Sequence, residues 1–67
     1  MNDLPYILTP QDIADFLHIS RKRVYELLDL SPEYGGIPSF RVGPRGRRVE
    51  KPDFIQWLAK RKEARTG

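Results

Sequence analysis

Apolar residues recur at helical spacing in three stretches of the chain and alternate in one. In Leu8-Thr9-Pro10-Gln11-Asp12-Ile13 a helix start is legible. Thr9 is placed to cap, Pro10 takes the first helical position where a missing N–H costs nothing, and Asp12 stands at capping-box spacing. Leu8 and Ile13 have the spacing of a hydrophobic staple. Ile13, Ala14 and Leu17 then form a face that must bury, Phe16 flanks it, and Asp12 and Asp15 turn to water. Only Leu17-His18-Ile19 separates this helix from Ser20, the cap of a second one. So short a connection makes two helices cross steeply. Ile19 and Val24 repeat the staple spacing, and Val24, Leu27 and Leu28 predict the buried face. Arg21, Lys22, Tyr25 and Asp29 lie opposite. The breakers of Ser31-Pro32-Glu33-Tyr34-Gly35-Gly36 end the helix near Leu30.

The period then changes to two. Phe40 and Val42 point one way, Ser39 and Arg41 the other, which predicts a strand. Gly43-Pro44-Arg45-Gly46 reads as a turn and Arg47-Arg48-Val49-Glu50 as the return strand, giving a β-hairpin with a basic tip. Because an isolated hairpin is marginal in water, Phe40, Val42 and Val49 are expected to lean on the helices. A third helix starts around Pro52-Asp53 and runs toward Arg65, burying Phe54, Trp57 and Leu58, with Trp57 the largest core contributor. The fold class predicted is mainly α with a small β-hairpin: a winged helix-turn-helix of three helices and a two-stranded wing, one domain over residues 1–67.

Charge changes this picture from a fold to a surface. The chain has 67 residues, no cysteine and a formal net charge of +3. Packing alone must hold it, and about 60% of the unfolded surface is available for burial. Residues 1–19 hold three acids and no Lys or Arg, whereas Ser20 to Lys51 hold eight basic residues and four acids. Seven of those eight form two clusters, Arg21-Lys22-Arg23 and Arg41, Arg45, Arg47, Arg48. The first cluster occupies the positive end of a helix dipole, where each cation is disfavoured by about 0.3–1 kcal/mol. The third helix obeys the dipole, with Asp53 in its first turn and Lys60, Arg61, Lys62 and Arg65 near its end. A polyanion, nucleic acid or a membrane surface, is the partner such clusters suggest, a merely solvated face being the alternative. The two clusters fall on the second helix and the hairpin, the two elements of a winged helix-turn-helix that touch DNA.

The run Thr9-x-x-Asp12-Ile13-Ala14-x-x-Leu17-x-Ile19-Ser20-Arg21-x-x-Val24-Tyr25, then Ile37-Pro38, Arg41-Val42-Gly43 and Asp53-Phe54-x-x-Trp57-Leu58, resembles the excisionase-type, MerR-like winged-helix DNA-binding domains. The resemblance covers about residues 6 to 59. It implies a small phage or mobile-element protein that binds DNA beside an integrase's sites, bends it or assembles along it, and biases recombination toward excision. Close relatives in that family act as transcriptional regulators, and phage small terminase subunits use similar domains. The chain departs from the pattern in three places: His18 stands where glycine is common in the turn, Arg23 where threonine is common, and the 31–36 linker is longer than the pattern by a few residues.

The expected DNA-binding residues are Ser20, Arg21, Lys22, Arg23, Tyr25, Arg41, Arg45, Arg47 and Arg48. Among Arg21, Lys22 and Arg23, phosphate contact is expected of at least one and base reading, bidentate to guanine, of another. Ser20 is the helix cap and its hydroxyl a further phosphate ligand. Tyr25 has two readings, packing beside the turn or a phosphate hydrogen bond. Arg45, Arg47 and Arg48 serve DNA backbone or minor groove, Arg45 first because it lies nearest the tip; the alternative is that they keep the hairpin soluble and discourage edge pairing. Lys60-Arg61-Lys62 is explained by the dipole and solubility. His18, the single histidine, has Asp15 as its one plausible fellow ligand, so no metal is expected. No cofactor is expected either, nor an enzyme: there is no cysteine, no second histidine and no phosphate-cradling glycine loop. With no apolar run of about 18 residues and no basic signal-peptide start, a soluble protein is expected, and the resemblance implies the bacterial cytoplasm, at the nucleoid. The partners expected are double-stranded DNA, an integrase or recombinase, and further copies of the chain on adjacent sites. A transcriptional regulator, or an adaptor whose basic face meets an acidic protein, are the alternatives.

Overall fold

The computed structural model describes residues 4–44 and 46–66, with side chains as far as Glu63. In chain order the elements are β1 (Ile7–Leu8), α1 (Pro10–Leu17), α2 (Arg21–Asp29), a 3-10 turn (Pro32–Tyr34), β2 (Phe40–Val42), β3 (Gly46–Glu50) and α3 (Lys51–Thr66). It is a winged helix-turn-helix, with a third strand added to the hairpin. The strands run antiparallel in the order β1-β3-β2, Leu8 facing Val49 and Phe40 facing Arg48.

Local chemistry sets the helix boundaries. Thr9 Oγ1 accepts from Asp12 N at 3.0 Å while an Asp12 carboxylate oxygen accepts from Thr9 N at 3.0 Å, so the capping box closes in both directions. Ser20 Oγ accepts from Arg23 N at 3.2 Å and starts α2. Between the two helices His18 adopts φ 60°, ψ 45° and donates its N–H to Ala14 O. This left-handed residue is what lets three residues turn the chain, and it costs an L-residue roughly 1–2 kcal/mol. Allowing for glycine's greater unfolded-state entropy, His18→Gly is expected to raise stability by about 0.5–1 kcal/mol. A urea titration checks this; a midpoint that falls would mean that the His18 side chain contributes more than its backbone costs.

The core comprises Leu8, Ile13, Ala14, Val24, Leu28, Ile37, Val49, Phe54 and Trp57, with Leu17, Leu27 and Leu58 half-buried around it. Phe54 sits fully buried at the centre, meeting Phe16 edge-on at 5.6 Å and lying nearly parallel to Trp57 at 5.9 Å. The Trp57 indole donates to Gly35 O at 2.9 Å, which ties α3 to the linker after α2. One expectation about the wing needs correction. Phe40 and Val42 do not lean on the helices but are 42% and 45% exposed. Register explains this: Val49 faces the core, so its neighbour Arg48 faces outward, and Phe40, opposite Arg48, must do the same. The wing is anchored instead by Val49 and by β1, whose two residues are too few to show an alternation.

Candidate nucleic-acid interface

Successive α2 residues are about 100° apart around the axis, and this separates the three cations at its start. Arg21, Tyr25 and Asp29 form one i, i+4, i+8 ridge that starts beside the buried Leu28 and turns outward, and Lys22 and Glu26 form the next ridge, opposite the buried Val24 and Leu28. Arg23 projects on the other flank with Leu27, toward α3, where both line a groove. Arg21, Lys22 and Arg23 are all exposed, and the first turn of α2 contains no acid. Arg23 pairs with Glu26 at 3.7 Å, but both side chains are well exposed and such a pair stabilises little. The positive end of the dipole and two cations therefore face solvent on one side, with Tyr25, 39% exposed, one turn along.

The wing is held against that ridge by Arg47. Its guanidinium donates to Asp29 Oδ1 at 2.8 Å, to Leu28 O at 2.8 Å and to Ser39 Oγ at 3.3 Å, and its side chain is 18% exposed. Leu28 O lies in the last turn of α2, where carbonyls lack helical partners, so this one side chain both caps α2 and fixes the wing angle. Sequence reasoning grouped Arg47 with cations free to meet DNA; alternation with Val49 turns it inward instead. Arg41, paired with Arg47 across the ladder, shares that inward-facing side near α2 but stays exposed. Arg48 lies on the outer face, half-buried, donating to Arg47 O at 2.8 Å. Arg45 lies outside the described residues. Ser20 is exposed, its Oγ engaged as the cap.

This geometry gives Arg47 a testable signature. Arg47→Lys keeps the charge but not the planar fork, so it should lose about 1–3 kcal/mol in the absence of DNA, nearly as much as Arg47→Ala. An outward cation serving only phosphate would leave the free protein unaffected, and equal melting temperatures for wild type and Arg47→Lys would contradict the clamp.

Two helices in a tight left-handed turn, the second cationic at its start and clamped to a basic wing, are the parts of a DNA-reading domain. The helix-turn-helix domain family matches residues 7–62, from β1 through most of α3. The chain belongs to that family. No curated protein and no solved structure matches it. As a helix-turn-helix domain it binds DNA, and α2 is the second helix of its helix-turn-helix. Among the described residues, no helix of this domain is long and apolar enough to cross a membrane, and no three His, Cys, Asp or Glu residues are grouped so as to hold a metal ion.

Proposed function

We propose that this helix-turn-helix domain is an excisionase-type recombination directionality factor, acting by binding rather than catalysis on double-stranded DNA in a bacterial cell. The observation that carries this reading is the excisionase-type motif run from Thr9 to Leu58, whose positions fall on the cap, turn, recognition helix, wing and core that a DNA reader needs. Arg21, Lys22 and Tyr25 enter the major groove, Ser20 and Arg41 meet the flanking backbone, and Arg45 and Arg48 extend the contact along the wing. Arg47 holds the wing in place, and Arg23 lies on the flank toward α3, away from the ridge that enters the groove. One α2 and one wing touch few base pairs, so useful specificity requires adjacent copies or an integrase bound alongside.

The test is a plasmid recombination assay with the cognate integrase. Adding the protein should raise excision and suppress integration. An unchanged ratio, with repression of a promoter carrying the same binding site, would assign the domain to transcriptional regulation instead.

A further inference from the structure

On the α3 flank of α2 lies a groove of about 410 Å³. Its floor is apolar: Leu17 and Ile19 from the turn, Leu27 from α2, Leu58 and Trp57 from α3. Its rim is cationic, formed by Arg23, Arg61 and Lys62. The Glu26 carboxylate meets that rim, pairing with Arg23 at 3.7 Å between two exposed side chains. Arg61 lies over the Trp57 ring at 5.0 Å, keeping its charge beside the apolar floor. Past Trp57 and Arg61 the surface continues into a second depression of about 280 Å³, where Lys60 adds another cation.

We propose that this groove docks an acidic segment of a partner protein, anchored by aliphatic side chains and held by carboxylates. The pairing of floor and rim selects that chemistry. A phosphate backbone gains nothing from Leu17, Ile19 and Leu58, whereas an aliphatic anchor gains by leaving water there and its flanking carboxylates meet Arg23, Arg61 and Lys62. The groove opens on the flank of α2 away from the Arg21-Tyr25-Asp29 ridge, so the domain holds DNA and this partner together. The proposal does not depend on the excisionase reading.

Trp57 is the single tryptophan of the chain, so its emission reports occupancy directly. The probe is a short synthetic peptide of glutamates around two leucines, titrated into the full chain at low salt. Its controls are a leucine-free glutamate peptide and a version with lysine for glutamate. The glutamate-leucine peptide should shift Trp57 emission saturably, with both controls at least about tenfold weaker. Lys62→Glu, an exposed change that leaves the core intact, should weaken the peptide about tenfold and duplex DNA by less than about twofold. Circular dichroism of that variant verifies its fold. Absence of saturable binding, equal binding of the leucine-free peptide, or indifference to Lys62→Glu would overturn the proposal. Displacement of the peptide by duplex DNA, with DNA affinity lost in parallel in Lys62→Glu, would assign the groove to the DNA interface instead.

Discussion

Gly36→Ala is expected to cost about 3 kcal/mol, at the upper end of what overpacking does, and to disturb the wing before any other element. A Cβ at Gly36 would stand 1.8 Å from Leu30 O and 2.9 Å from Leu27 O. Both obstacles are backbone, so no side chain can swing aside. Leu27 O accepts from Ile37 N at 3.0 Å, and Ile37 is fully buried. The linker's retreat would therefore break that bond and pull Ile37 from the core. A 67-residue domain has about 3–10 kcal/mol of stability in total, so only about 0–7 kcal/mol would remain and the unfolding midpoint should fall steeply. Gly43→Ala is the control: φ is 74° and nothing stands within 4 Å, so only the backbone strain of roughly 1–2 kcal/mol applies. Urea denaturation of both variants measures the difference, and a Gly36→Ala midpoint equal to that of Gly43→Ala would contradict the close approach.

Arg21→Ala/Lys22→Ala should have the largest functional effect, weakening duplex DNA binding about 100-fold at moderate salt. The same change should stabilise the free protein, by roughly 0.3–1 kcal/mol for each cation removed from the positive end of α2. The two effects have opposite signs because the cations are placed for a partner and against their own helix. Unchanged DNA affinity would remove α2 from the interface.

How legible each part was depended on whether its cause is local. Thr9, Asp12 and Ser20 announce their caps because capping depends on residues three apart, and the His18 turn follows from the short connection. The burial of Val24, Leu28, Phe54 and Trp57 follows from helical period. What the chain hides is register and long-range pairing. Two residues, Ile7 and Leu8, cannot advertise β1, and the parity of the wing is set by which partner Val49 meets. That parity exposes Phe40 and turns Arg47 toward Asp29, eighteen residues earlier in the chain. Ile37 follows a linker without a period, and only the approach of Gly36 to Leu30 O shows why it is buried. The basic clusters were legible as charge, but only helix geometry separates Arg23 from Arg21 and Lys22.

In the proposed interface, Arg21, Lys22 and the wing cations neutralise phosphates of one duplex. Its most direct test is the salt dependence of duplex binding, compared between wild type and Arg21→Ala/Lys22→Ala. With Arg21, Lys22, Arg41, Arg45 and Arg48 engaged, the log-log slope should be about −4.5, which lowers affinity about 500-fold between roughly 50 and 200 mM salt. In the double variant it should flatten to about −2.7. A wild-type slope near zero, or the same slope in both proteins, would contradict the account.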